Sequence, residues 1–309
     1  MRRRFALAAV LALAAGGGAS WASEAADEGW QLMPSGTEKN LIAVWGASGR
    51  DVFAAGDGGA MLHYDGTRWS ALAVPGTPHL TSLWGAAPDD VFAVGDGGII
   101  LHYDGAAWSQ MASGTTGILD CVWGSSARDV FVVGPEKYEI LHFDGAAWTT
   151  MVSGTAARLY GVAGASGRDV LAVGMNGTIL HWDGRAWTAM PNPDPGHLIG
   201  VWAASATEAF AVGAAGTIIR FDGHAWTATP SGTTENIARV WARSGHDAWA
   251  AGMGGTLLHW DGASWRQVRK DPERPLFGVW SAPAGDVFVV GQKGTILHHP
   301  AAANTAPQR

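Results

Sequence analysis

Six histidines, His63, His102, His142, His181, His259 and His298, recur at one position of a repeated pattern, with Arg220 at the matching place in the remaining copy. Imidazole is the commonest metal ligand, so a ring of histidines first suggests a zinc site. Two carboxylate series run beside them. Asp65, Asp104, Asp144, Asp183, Asp222 and Asp261 each precede a glycine, with tryptophan three residues after that glycine. Asp51, Asp90, Asp129, Asp169, Glu208, Asp247 and Asp286 form the other series. Paired carboxylates cleave glycosidic bonds when they stand ~5–9.5 Å apart. Either chemistry needs these groups to converge, so the elements that carry them decide the matter.

Those elements are repeats. Trp30, Trp69, Trp108, Trp148, Trp187, Trp226 and Trp265 each lie fifteen residues before a second marker: Trp45, Trp84, Trp123, Ala163, Trp202, Trp241 or Trp280. The markers advance by 39 or 40 residues, so one unit is written seven times. In the first complete unit the apolar runs are Leu41–Gly46, Asp51–Gly56, Met61–Tyr64 and Thr67–Leu72, separated by Gly and Asp turns. Four short β-branched and aromatic runs with such turns predict an antiparallel meander. The runs are apolar on both faces, which requires cover on both sides of each small sheet. Repeats of this length and strand number predict an all-β fold, a seven-bladed β-propeller of four-stranded antiparallel blades. After Ile296-Leu297-His298 the repeat stops before the next Asp-Gly-x-x-Trp, and the missing piece is Trp30-Gln31-Leu32-Met33. The ring is therefore expected to close with an N-terminal outer strand, which removes two free sheet edges. The Trp45 series belongs on the innermost strand and the Trp30 series on the outermost.

This architecture answers the chemistry. The histidines lie on the third strand of each blade, and neighbouring ones are on the order of 14 Å apart given the ~4.8 Å strand spacing. A Zn–N bond is ~2.1 Å, so no two share an ion. Each histidine is expected to bond a neighbouring turn or blade. The Asp-Gly series suits hairpin turns, where the carboxylate accepts backbone N–H groups and glycine takes φ > 0. The Gly56-Asp57-Gly58-Gly59 type of loop lacks the following helix and the Lys-Ser/Thr of a phosphate loop. No Gly-x-Ser-x-Gly, His-Glu-x-x-His or Cys-x-x-Cys occurs. No cofactor and no metal are expected, and catalytic residues are none.

Residues 1–22 are identified as a signal peptide: Arg2-Arg3-Arg4, an apolar run from Phe5 to Ala15, and a small-x-small end at Ser20-Trp21-Ala22. The apolar run is too short to span a bilayer. The expected domain plan is a leader (1–22), the propeller (23–300) and a disordered tail (301–309), in a protein exported to the periplasm or beyond. Cleavage removes three arginines and no acid, moving the formal charge from −7 to −10. That charge, without a Lys/Arg run, argues against nucleic acid or anionic lipid as partner. The single cysteine, Cys121, forms no intramolecular disulfide and is expected as a small buried thiol.

The repeat Val-Trp-Gly-x-Ser-x-x-Asp-Val-Phe-x-x-Gly-x-x-Gly-x-Ile-Leu-His-x-Asp-Gly-x-x-Trp resembles the WD/YVTN/BNR-like propellers, notably secreted bacterial repeat proteins and the photosystem II stability/assembly factor family. The resemblance spans nearly the whole mature chain and implies the propeller fold; the fold hosts many activities. The Asp-box of sialidases is only approximated, because Asp and Gly are adjacent here. A basic patch of the assembly-factor kind is not evident in so acidic a chain.

If recurring positions build the ring, function belongs where the copies disagree. Gly134-Pro135-Glu136-Lys137-Tyr138-Glu139 departs most, holding the one inserted residue. Glu136, Lys137 and Tyr138 are the leading contact residues, with Arg158 and His197 on the same predicted face. The expected role is an exported, non-catalytic protein-binding or scaffold module. A carbohydrate-binding propeller is the alternative, prompted by 17 tryptophans, of which Trp182, Trp249 and Trp260 fall outside the repeat core. A glycoside hydrolase or lyase ranks third.

Overall fold

Runs rich in Val, Ile, Phe and Trp fit a pleated surface buried on both sides, and every such run forms a strand. The computed structural model describes residues 29–134, 139–271 and 273–301. Strand β1 (Gln31–Leu32) comes first; β2 (Leu41–Ser48), β3 (Asp51–Gly56), β4 (Met61–Tyr64) and β5 (Trp69–Ala71) then make blade 1. The pattern continues as β6–β9 (Leu80–Met111), β10–β13 (Cys121–Val152), β14–β17 (Leu159–Ala189), β18–β21 (Leu198–Ala228) and β22–β25 (Ile237–Arg269). Blade 7 is β26 (Leu276–Ser281), β27 (Val287–Gly291) and β28 (Ile296–His299), with β1 outermost. Each of the seven sheets is four-stranded, and neighbouring strands run antiparallel.

The N-terminal closure is present. Gln31 pairs with His298 and Leu32 with Leu297, and the Met33 N–H continues the ladder to the Ile296 carbonyl at 2.9 Å. Two tertiary contacts repeat around the ring and explain both tryptophan series. The outer tryptophan of one blade meets edge-on the large residue of the second strand in the blade before it. Trp108 meets Phe53 at 83°, Trp148 meets Phe92 at 81° and Trp69 meets Phe288 at 79°. Trp30 takes the same place against Trp249, at 78°. The N-terminal strand thus supplies the interblade side chain as well as the missing edge. Losing such a buried tryptophan to alanine costs about 3–5 kcal/mol.

The inner tryptophans pack on glycines of the next blade. A Cβ added at Gly85 would fall 2.5 Å from the Trp45 ring, and Gly124, Gly164 and Gly46 stand in the same way under Trp84, Trp123 and Trp280. In blade 4 the tryptophan is replaced by Ala163, and the glycine that would lie beneath it is Ala203. Residues 1–22 and 302–309, assigned above to leader and tail, lie outside the described residues.

Candidate functional site

Antiparallel blades present two faces. Turns between first and second and between third and fourth strands form one, here the hairpin face. Turns between second and third strands, with the connections that cross to the next blade, form the other, here the crossover face.

The hairpin face takes up the recurring histidines and aspartates. His63 Nε2 pairs with Asp51 Oδ1 at 2.7 Å, and His102, His142, His181, His259 and His298 pair with Asp90, Asp129, Asp169, Asp247 and Asp286 at 2.7–3.0 Å. In blade 5 both members change: Arg220 donates to Glu208 at 3.3 Å. The imidazole also packs on the buried ring beside it, as His142 does on Phe131 with centroids 4.6 Å apart. Each histidine therefore ties the third strand to the start of the second within its own blade. The Asp-Gly carboxylates cap their turns: Asp104 Oδ1 accepts the Ala106 and Ala107 N–H groups at 2.9 Å. Hydrogen bonds from the Thr67 hydroxyl and the backbone of Arg68 and Thr67 pull the Asp65 carboxyl down to about 2. Backbone donors depress Asp104, Asp144, Asp183, Asp222 and Asp261 in the same direction.

On the crossover face one repeat position, at or shortly before the start of each inner strand, forms a rim: Asn40, His79, Ile118, Arg158, His197, Asn236 and Pro275. Three of them do one job. Asn40 Oδ1 accepts the Lys293 N–H (3.0 Å), His197 Nδ1 that of Asn176 (2.9 Å) and Asn236 Oδ1 that of Ala215 (2.9 Å). Asn176, Ala215 and Lys293 are the non-glycine residues with positive φ among those described, at 51–56°. A left-handed residue other than glycine costs about 1–2 kcal/mol, and the rim acceptor offsets much of it. Where the rim residue is Ile118 or Pro275, the turn residue it would meet is Gly97 or Gly254. His197, expected as a partner contact, is therefore also the cap on the blade-4 turn.

Arg158 is built differently. Its Nε and Nη2 both donate to Asp120 Oδ2, at 3.1 and 2.8 Å, and its guanidinium lies 5.4 Å from the centre of the Tyr160 ring. Asp120 and Tyr160 occupy one repeat position in adjacent blades, where Ile42, Thr81, Ile199, Ala238 and Phe277 stand elsewhere. Burial pushes the Asp120 carboxyl up, against the pull of Arg158 and Arg239. Arg239 is the third member. It stands on blade 6 and reaches the Asp120 carbonyl of blade 3 with Nη2 at 3.4 Å, while Nη1 donates to the Ala238 carbonyl at 3.0 Å. A pair of guanidiniums and one carboxylate thus gather at the mouth of a net acidic molecule. Ile118, 39% exposed, stands on the same rim.

Arg239 caps a narrow channel of ≈70 Å³ bordered by Ser82, Cys121, Trp202 and Trp241 among others. Trp202 and Trp241 depart from the Trp-on-Gly packing, because the positions beneath them are Ala242 and Ser281. They stack on each other at 3.7 Å instead, and the Trp202 Nε1 donates to the Ala242 carbonyl at 2.6 Å. Cys121, expected to be buried, is half-buried beside this channel, with its sulfur 3.7 Å from Ser82 Oγ. Further out, connections of the Ser-Gly-Thr type floor recesses between blades 2 and 3 (≈470 Å³) and between blades 5 and 6 (≈650 Å³).

Glu136, Lys137 and Tyr138 lie outside the described residues. Asp120, Tyr160 and Arg239 were missed by sequence reasoning, although each breaks the repeat at an otherwise small or apolar position. The tryptophans that prompted a sugar-binding alternative are engaged within the ring: Trp182 Nε1 donates to the Gly167 carbonyl, Trp260 Nε1 to that of Gly245, and Trp249 stacks on His259.

No family model matches the sequence, and no curated protein matches it. Among solved structures it is similar to YCF48 bound to D1 peptide, with 17% identity, a TM-score of 0.72, and 89% of this chain and 96% of that chain covered. YCF48 from Cyanidioschyzon merolae is similar at 17% identity and a TM-score of 0.72, covering 88% and 98%. The WD40 β-propeller domain of Doa1 follows at 14% identity and a TM-score of 0.76, covering 89% and 98%. The likeness is one of fold. It shows a β-propeller like those of YCF48 and the Doa1 domain.

Proposed function

We propose that the chain is an exported, non-catalytic propeller that binds a partner protein through the crossover face. The observation that carries this reading is the Arg158–Asp120–Tyr160 group beside Arg239. Neither the turns nor the blade packing call for these residues, and they stand together at an open mouth. Arginine and tyrosine held rigid against neighbours make strong protein contacts, because little side-chain freedom is lost on binding. Support of a coarser kind comes from the structural likeness to a propeller solved with a bound peptide.

The test is capture of partners from the exported fraction by the purified chain, followed by affinity measurement with whatever is recovered. Arg158→Ala combined with Tyr160→Ala is expected to weaken binding by tenfold or more. Substituting Glu136, Lys137 and Tyr138 together forms a second arm. Arg128→Ala and Arg168→Ala on the hairpin face are expected to leave it unchanged. Equal affinity across all variants would remove the crossover face from consideration.

A further inference from the structure

We propose that the channel mouth is a binding site for a small carboxylate, held by Arg239. The inference does not rest on the partner-binding reading. At this position the other six blades carry Ala43, Ser82, Cys121, Gly161, Gly200 and Gly278, so the ring itself has no need of a long cation here. The side chain is half-buried, and it borders a channel whose other lining residues are uncharged. Of the five N–H donors of a guanidinium, the structure accounts for two, both given to backbone carbonyls. Among the described residues no carboxylate forms an ion pair with it. Asp120, whose carboxylate feels the Arg239 charge, is bonded through Oδ2 by both donors of Arg158.

A positive charge drawn out of water into an aromatic-lined channel needs an acceptor stronger than two carbonyls. A carboxylate supplies two oxygens with the spacing of the guanidinium fork and cancels its charge. Size and charge choose among anions. The channel offers ≈70 Å³, room for several water-sized probes at ~10–15 Å³ each and so for a carboxyl group with a short tail. Once Asp120 is neutralised by Arg158, a single positive charge remains, which matches a monoanion. A phosphate dianion would bring a second charge close to the Asp120 carboxylate.

The proposal is tested by titrating the full chain with sodium acetate against sodium chloride at equal ionic strength. Thermal midpoint and tryptophan emission are both followed, since Trp202 and Trp241 border the same channel. Acetate is expected to raise the midpoint saturably and to change the emission, with affinity falling at least tenfold in Arg239→Gln. Sodium phosphate is expected to bind more weakly than acetate. An identical acetate response in wild type and Arg239→Gln would overturn the site, and tighter phosphate binding would overturn the carboxylate assignment. If Arg239→Gln does not fold, calorimetric titration of the wild-type chain with acetate still decides: no saturable binding refutes the proposal.

Discussion

The hairpin face and the crossover face are written by the same repeat, yet they use it in opposite ways. On the hairpin face one pair of side chains does the same work seven times, and when one member changes its partner changes too, as with Arg220 and Glu208. On the crossover face the rim position holds five residue types in seven blades. Asn40, His197 and Asn236 still share one task, capping a left-handed turn in the blade before. Arg158, Asp120, Tyr160 and Arg239 have no such task. Variation alone therefore does not mark a functional residue: it does so after the structural duties of a position have been subtracted.

The largest effect expected comes from the crossover turns. Gly216 has φ +75°, and a Cβ there would run into the Thr233 carbonyl, whereas Gly97 has φ +71° and nothing within 4 Å. Gly216→Ala should cost about 3 kcal/mol or more, adding a backbone clash to the left-handed penalty of about 1–2 kcal/mol that Gly97→Ala carries alone. Urea unfolding of both variants measures this. Equal losses would mean that the crossover connections yield freely. On the hairpin face, Asp129→Ala removes the partner of His142 and of the Ser125 hydroxyl. Its expected cost is about 1–3 kcal/mol, and the same unfolding assay should show nearly none for the exposed Arg128→Ala.

The capping role is sharpened by a double-mutant cycle. Asn236→Ala should cost about 1 kcal/mol by stripping the cap from Ala215. Ala215→Gly should recover most of that loss, and failure to do so would leave the rim acceptors without a shared function. Acid should act mainly through the hairpin face. The turn carboxylates have folded pKa values below their unfolded ones, so their stabilisation is complete above about pH 4. It is lost as pH falls towards the value of about 2 held by Asp65. Thermal midpoints between pH 5 and 2.5 should drop accordingly, and Asp65→Asn should flatten the slope slightly. Arg158→Ala takes both guanidinium donors from the partly buried Asp120 carboxylate and should cost about 1–3 kcal/mol. A much larger loss would make Arg158 a member of the ring rather than of a binding surface.

Much of this was legible before any coordinates. Trp30 and the 39-residue spacing predicted seven blades and the closure through β1, because a strict period leaves one way to bury both faces of each sheet. The pairing of Asp51 with His63 was legible in principle: the two series keep a twelve-residue offset in six of seven blades, and the Glu208 and Arg220 exchange is shared. The histidines were placed correctly as structural, without their partners being named. The gathering of Asp120 with Arg239 was not legible. Those residues are 119 positions apart on blades 3 and 6, and no periodicity links one side of a channel to the other.

The sequence by itself determined what repeats: strand order, turn chemistry, blade number and closure. Each of these rests on contacts within a unit or between consecutive units, and such contacts leave the same trace in every copy. Only the tertiary structure decided which departures from the repeat belong together. It showed His197 to be a turn cap, Trp202 and Trp241 to be a stacked pair, and Arg239 to reach across to the blade that carries Asp120. Those outcomes follow from closing the ring, which brings residues distant in the chain to one axis.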